Sequence, residues 1–581
     1  MKEIILDQMK LRLIYFESVL LFLPGAFLCL LGGSRLGPRA LNFMIHSSLW
    51  AERSLIIAQV FVAYGIILLG MACFSFFLAS SGQTLTVRLA EGLKQAWGNF
   101  CSWWAVFKQF YRVSGRELFW PLIALGIGAG VRGYFLSQPM RGDESYTFLN
   151  FANKDLLALF DYQVPNNHVL HSLLVKSSVL ILGASPVSIR FPAFMMGLIT
   201  IPLVFGLSRA LNPGKHSGVL AAIITAVFPY LILYSSNARG YTLIMVLTLL
   251  AAFVSLRMIK NPTPGIIILL ALISALGMFT IPSMLVGVAG IFMWLVVLIH
   301  LSKPHNIKNI LKATLLYGVL SGIFCFILYS PVIVIANGIQ PIVANQYVES
   351  LGWPGFFANF WPQMQKTLVE LTRDVPVLVL AFGLIFGLAG LLRAIRSRNW
   401  ETALLLPGLL VGAVVVMFLQ RTVLYSRAWI FALPFIFIVV DYGFCALLEK
   451  LTPQIQWLSK IFLVCMAIVY AGYLMSANTI SHYPDTSAFP EAQLAAEYLR
   501  PILSVEDAVH VTDTADWPFY FYCWYYKMPQ PAQQTKTSLG KTYILVKKSR
   551  YSIDQMTSQP VIKLLDIDNM ALYQEVQSEN K

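Results

Sequence analysis

Thirteen apolar runs, most of them close to the ~20 residues a helix needs to cross the ~30 Å of a bilayer core, constrain this chain more than any other feature. They lie at Leu13–Gly33, Ser54–Ser80, Leu118–Phe135, Phe191–Ala210, Gly218–Ser235, Thr242–Met258, Gly265–Phe279, Met284–Leu301, Ala313–Ala336, Val377–Ile395, Thr402–Leu419, Trp429–Leu448 and Ile461–Met475. In hydrocarbon each backbone N–H and C=O must find its partner inside the protein, so such runs fold as helices. Composition agrees. Of 581 residues, 57% are hydrophobic and 12% charged, against roughly 25% charged in a soluble domain. The chain is expected to be an all-α polytopic membrane protein.

A further run, His168–Ala184, is interrupted by His171, Ser172, Lys176, Ser177 and Ser178. We read it as a helix lying along the membrane surface. The basic residues support that choice. With the N-terminus in the cytoplasm and thirteen spans, the short loops carrying Arg88 to Arg116, Lys303 to Lys312 and Arg393 to Arg398 fall inside, as the positive-inside rule requires. Counting His168–Ala184 as a span would turn the later loops outward. The net charge of +14 is therefore mostly a topology signal. It does not indicate nucleic-acid binding, which would need a basic stripe alternating with exposed aromatics. Of seven cysteines only Cys523 falls in an external segment, so no external disulfide is expected within the chain. Leu13–Gly33 has no small-residue cleavage site after it and reads as a retained anchor.

Three parts are expected. Residues 1–112 contribute two spans and a basic, aromatic cytoplasmic linker from Arg88 to Arg112. Residues 113–478 form an eleven-span core with large outer loops at Leu136–Arg190 and Asn337–Pro376. Residues 479–581 form a small external α/β domain, with helical spacing over Pro490–Leu503 and β-rich runs at Ala508–Thr512, Tyr543–Val546 and Val561–Leu565. No glycine-rich phosphate loop occurs there, so no cofactor is assigned to it.

Four polar knots punctuate the outer side. Arg141-Gly-Asp-Glu-Ser-Tyr-Thr147 follows directly on Leu118–Phe135. Carboxylates at membrane depth are costly and mark function; Asp143 is the candidate general base and Glu144 the carboxylate that orients an acceptor. Val164-Pro-Asn-Asn-His-Val169 opens the surface helix, with Asn167 as a candidate N-cap and a helix N-terminus suited to phosphate. Ser235-Ser-Asn-Ala-Arg-Gly-Tyr241 is a short turn that brings Arg239 and Tyr241 to the same face. Gln420-Arg-Thr-Val-Leu-Tyr-Ser-Arg427 holds Arg421, Tyr425 and Arg427, two arginines on the side where the topology disfavours them; a phosphate at the interface would account for both. Asp441 reads as a structural interfacial residue and Lys176 as a snorkelling one. The Trp353, Phe356, Phe357, Phe360, Trp361 cluster reads as an interface belt or half-buried surface helix. No cysteine–histidine spacing suggests zinc.

Taken together, the acidic motif after a first core span, the Pro-Asn-Asn-His knot and the Asn-Ala-Arg-Gly-Tyr turn resemble those of the GT-C glycosyltransferases. The bacterial branch of glycosyltransferase family 39, the protein O-mannosyltransferase and aminoarabinose transferase type, is the nearest in pattern, over roughly residues 113–478. The resemblance implies a GT-C fold and an enzyme of the bacterial inner membrane. It would move a sugar, with inversion, from a polyprenyl-phosphate donor to a glycan, lipid or protein acceptor on the periplasmic side. It also implies Asp143 as base, Glu144 at the acceptor, and His168, Arg239 and Arg427 around the carrier phosphate, with Asn167, Tyr241, Arg421 and Tyr425 beside them. The turn lacks the acidic pair that binds a divalent ion in oligosaccharyltransferases, so no catalytic metal is expected. The alternative class is a transporter or lipid-linked-sugar flippase. Such proteins place ionisable groups near the midplane, in broken helices and paired repeats, whereas here those groups gather at one face.

Overall fold

Ten helices are long and apolar enough to cross a membrane among the residues that the computed structural model describes. Those residues are 17–30, 53–77, 90–92, 94–95, 97–98, 115–214, 216–302, 306–344, 350–512, 516–529 and 540–576. The chain is thus an integral membrane protein. Of the other runs of the expected thirteen, Leu13–Gly33 lies partly outside the described residues, Pro264–Thr280 falls below span length, and Gly218–Ser235 splits in two. The linker Arg88 to Arg112 lies largely outside the described residues.

In chain order the elements that matter here are α1 (Ser54–Phe77), α2 (Gly115–Leu136), the short α3 (Gly142–Thr147), α4 (Val169–Leu182) and α5 (Pro186–Leu211). Then come α6 (Val219–Val227), α7 (Pro229–Ser235), α8 (Tyr241–Lys260), α9 (Pro264–Thr280), α10 (Leu285–Ser302) and α11 (Ile307–Ile335). They are followed by α12 (Gly352–Leu371), α13 (Val377–Arg396), α14 (Trp400–Gln420), α15 (Leu433–Leu448) and α16 (Pro453–Ser476). At 14 residues, α4 is about 21 Å long, too short to span. One face of it is buried through Val169, His171, Ser172 and Val175, while Leu180 and Ile181 are exposed.

The α6–α7 break shows how the membrane enforces its rules. Pro229 has no N–H, so the Thr225 carbonyl four residues back loses its helical partner. Phe228 is extended, which frees the Ala226 carbonyl as well. Arg132 on α2, wholly buried, donates to both, at 2.9 and 2.5 Å, and to Ser235 Oγ at 3.0 Å. Asp441 does the same for the start of α6. It accepts from the backbone N–H of Gly218, Leu220 and Ala221 and from Ser208 Oγ. Asp441 is therefore structural, but it is fully buried rather than interfacial, because the helix start it caps lies inside the bundle.

Small residues set a close helix contact. Gly408 and Gly412, one turn apart on α14, face α10. A Cβ on Gly412 would stand 2.4 Å from Gly290 Cα, and one on Gly408 2.7 Å from Trp294 Cα. This is the small-xxx-small packing by which membrane helices gain dispersion contacts.

After α16 the chain forms α17 (Glu491–Leu499), α18 (Asp516–Tyr525) and a sheet of β1 (Ala508–Val511), β2 (Thr542–Lys547), β3 (Val561–Ile567) and β4 (Met570–Glu575). The order is β1-β2-β4-β3, with β1–β2 parallel and the other pairs antiparallel. The sequence signals omitted α18 and β4. The α18 segment is aromatic on all sides and so lacks periodicity, because one side meets the sheet and the other meets the α3 region. Phe519, Tyr522 and Cys523 share one apolar cluster with Leu545 and Leu572, and with Met140 and Phe148 flanking α3.

Candidate active site

Where α2 ends, the chain turns into α3 under two constraints. Gly142 donates its N–H to Ser487 O at 3.0 Å, and a Cβ there would stand 2.8 Å from Ser487 Cβ, so glycine is needed for the approach. Arg141, 1% exposed, donates to the carbonyls of Ile480, Tyr483 and Asp485. The segment that leaves the last span is thereby fastened to α3. Thr486 and Ser487 take left-handed φ values of 68° and 58°, a strained conformation of the kind that collects at functional sites.

Glu144 has a different place from the one expected. It is fully buried and ion-paired with the equally buried Arg190 of α5. It also accepts from Arg141 N (2.9 Å) and Ala238 N (2.8 Å), and Arg190 Nε reaches both of its oxygens. A carboxylate has about four acceptor positions, and these donors occupy them. Glu144 joins α3, α5 and the 236–240 turn from behind the site and is not among the residues that line the cavity, where an acceptor-orienting role would have put it.

Asp143, one residue earlier, points the other way. It lines a cavity of about 510 Å³ and pairs with Arg427 Nη1 through Oδ2 at 2.9 Å, the two side chains 19% and 25% exposed. Arg239, 2% exposed, enters the same cavity. Its Nη1 donates to Thr147 Oγ1 (2.7 Å) and Asn166 O (2.8 Å), its Nη2 stands 3.0 Å from His168 Nε2, and its Nε is buried with no protein partner. Gly240 N–H donates to His168 Nδ1 at 2.9 Å. Burial, then the charges of Arg239, His171 and Arg427, hold the His168 pKa well below its ordinary value, so the ring is neutral. Arg239 and the His168 ring thus stand together on the cavity surface, and the guanidinium beside Arg427 gives that side of the cavity the positive charge that suits an anion.

Tyr241 and Tyr425 also line the cavity. Tyr241 packs edge-to-face on His168, and Tyr425 lies under Arg427. Two expected members lie outside it. Arg421 stacks over Trp353, 5.2 Å from its centroid, at the exposed end of α14. Asn167 is fully buried and donates to Leu159 O and Asp161 O. Its Oδ1 accepts from Ser172 Oγ, not from a backbone N–H, so it braces the preceding loop and His168 takes the N-cap position of α4. Lys176 binds the carbonyls of Ala152 and Lys154, a tether in place of the expected snorkel.

Sequence reasoning missed Arg190, Asp485 and Trp517. Asp485 accepts from Tyr234 (2.5 Å) and Tyr230 (3.2 Å) hydroxyls. As a carboxylate just beyond a span it carried the same signal as Asp143. Trp517 lines the cavity from α18 and had no signal at all. Among the described residues no group of three or more metal-ligating side chains could hold an ion.

Residues 166–335 match the family described as dolichyl-phosphate-mannose-protein mannosyltransferase. No curated protein matches the chain. In structure it is similar to the crystal structure of ArnT from Cupriavidus metallidurans bound to undecaprenyl phosphate, with a TM-score of 0.52, 12% identity, 80% of this chain and 99% of that one covered. The apo form of the same protein gives a TM-score of 0.50 at 13% identity, over 80% and 98%. The chain thus shares the fold of that structure over 80% of its length, and its residues 166–335 are similar in sequence to the dolichyl-phosphate-mannose-protein mannosyltransferase family.

Proposed function

We propose that this protein is a membrane glycosyltransferase that takes a sugar from a polyprenyl-phosphate donor and passes it, with inversion, to an acceptor hydroxyl or amine on the periplasmic face of a bacterial inner membrane. The observation that carries the reading is a carboxylate, Asp143, sharing one cavity with the anion site of Arg427, Arg239 and His168. The fold relative was crystallised with undecaprenyl phosphate, a ligand this anion site suits. In the reaction Asp143 takes the acceptor proton as the acceptor atom bonds to the sugar C1. The C1–O bond to phosphate breaks and the phosphate leaves as an anion, for which the guanidinium groups are preorganised donors.

Purified protein in nanodiscs, given radiolabelled polyprenyl-phosphate sugars and a membrane extract as acceptor, should release free polyprenyl phosphate and form a labelled glycoconjugate. Movement of unchanged donor across the bilayer, without transfer, would show a flippase instead.

A further inference from the structure

The cavity has three walls of different chemistry, and the proposed reaction uses two. Arg427, Arg239 and His168 form the cationic wall, suited to a phosphate. Ile281, Pro282, Ile342, Val423 and Leu424 form an aliphatic wall, suited to a polyprenyl chain. The third wall is Tyr146 of α3 and Trp517 of α18, both half-buried. Their rings meet edge-to-face, 4.6 Å between centroids, with Asp516 beside them on the cavity surface.

This wall does not suit a second phosphate, since it offers Asp516 and no cation among the described lining residues. Nor is it the aliphatic surface that would hold a lipid tail. A partly exposed tryptophan beside a carboxylate presents a flat apolar face next to a hydrogen-bond acceptor, which matches the C–H face and hydroxyl rim of a sugar ring. Position decides which sugar. Tyr146 stands three residues beyond Asp143, about 5–6 Å away between Cβ atoms on a helix, and Trp517 lies a further ring away. A donor sugar is joined to the phosphate and so lies next to Arg427 and Asp143. The ring at Trp517 is the next one out.

We propose that Trp517, with Tyr146, is an acceptor subsite for a sugar ring, so that the acceptor is a glycan or glycolipid. This rests on the glycosyltransferase reading above. Trp517, from the segment beyond the spans, then joins Tyr146 of α3 in selecting the acceptor, while the outer-loop residues His168, Arg239 and Arg427 hold the donor.

Saturation-transfer NMR on the full chain in nanodiscs, with undecaprenyl phosphate added, tests it. The probes are methyl α-D-glucopyranoside, methyl α-D-mannopyranoside and N-acetylserine amide. At least one glycoside should receive saturation at its ring C–H protons, and the serine probe should not. Trp517→Leu, which keeps an apolar side chain but loses the ring, should weaken that signal about fivefold, the size of one lost aromatic contact. Trp517→Phe should retain it. Undecaprenyl phosphate affinity and melting temperature, unchanged in both variants, show that the fold is intact. Saturation of neither glycoside, saturation of the serine probe instead, or a glycoside signal indifferent to Trp517→Leu overturns the subsite. Failure of the wild type to bind undecaprenyl phosphate counts against the donor reading, whatever the glycosides do.

Discussion

Asp143 and Arg427 neutralise each other across 2.9 Å, and that pairing sets what their substitution does. Asp143→Asn keeps shape and hydrogen bonding but takes no proton at neutral pH. Turnover should drop about a hundredfold or more, while undecaprenyl phosphate binds as well or more tightly because Arg427 is released. Arg427→Ala should weaken that binding by about 1.5–3 kcal/mol, a charge-assisted bond lost. Titration of purified variants with undecaprenyl phosphate, beside initial rates, separates the two. Glu144→Gln should act on stability, since it leaves the buried Arg190 without its counter-charge, at a cost of about 3–5 kcal/mol. The double change Glu144→Gln with Arg190→Met should recover most of the lost melting temperature. Histidines add a pH dependence. Burial pushes His171 down to about 3, and His168 is also well below its usual value. Below the unfolded value of roughly 6.5 the unfolded chain binds protons that the folded one does not. Stability is therefore whole above that pH and declines as pH falls, by up to about 1.4 kcal/mol per pH unit per histidine. Melting curves from pH 7.5 to 5 should show that slope, and His171→Leu should reduce it.

At the scale of elements, the bundle depends on close glycine contacts and on side chains that complete interrupted helices. Gly412→Ile should disrupt the α10–α14 contact, because no flexible atom can move away from a backbone 2.4 Å off. Gly383→Ala, with open space around it, should be neutral and serves as the control. Thermal unfolding in detergent, followed by loss of the monodisperse peak, reads both. The α12 helix has Phe356 buried, with Phe357 and Trp361 exposed. The aromatic cluster, read as an interface belt or a half-buried surface helix, thus lies on a helix with one covered face. Arg132, an ionisable residue inside the run Leu118–Phe135, carried a signal, but its partners were not legible, because the carbonyls it completes become free only at the Phe228–Pro229 break, some ninety residues further along the chain.

For the whole molecule the open question is sidedness. Cys523 is 1% exposed and burial raises its thiol to about 12, so it would not report on topology. In a cysteine-free background Ser558→Cys, on an exposed position beside the C-terminal sheet, should react with an impermeant maleimide in cells whose outer layer is permeabilised. Arg396→Cys, at the far end of α13, should react only once the inner membrane is opened. The reverse pattern would turn the protein over and place the cavity in the cytoplasm.

Apolar length and loop charge were enough for the sequence to specify a helical membrane protein and the cost that marks Asp143. Hydrocarbon leaves a 20-residue apolar run no other structure, and an unneeded carboxylate no reason to be there. The sequence also brought His168, Arg239, Tyr241, Tyr425 and Arg427 forward as outer-loop residues, and all of them line the cavity. The direction each side chain faces depended on packing. Asp143 and Glu144 are neighbours of the same type, yet the helical turn of α3 sends one to the cavity and the other to Arg190. Asn167, Arg421 and Asp441 read as polar residues near a site or surface; Asn167 braces the loop before it, while Arg421 and Asp441 stack on or satisfy groups distant in sequence. Arg190, Asp485 and Trp517 entered the account only when folding brought α5, the segment after α16 and α18 against α3. A local pattern encodes which residues are costly to bury; which partners meet that cost is a property of the folded chain.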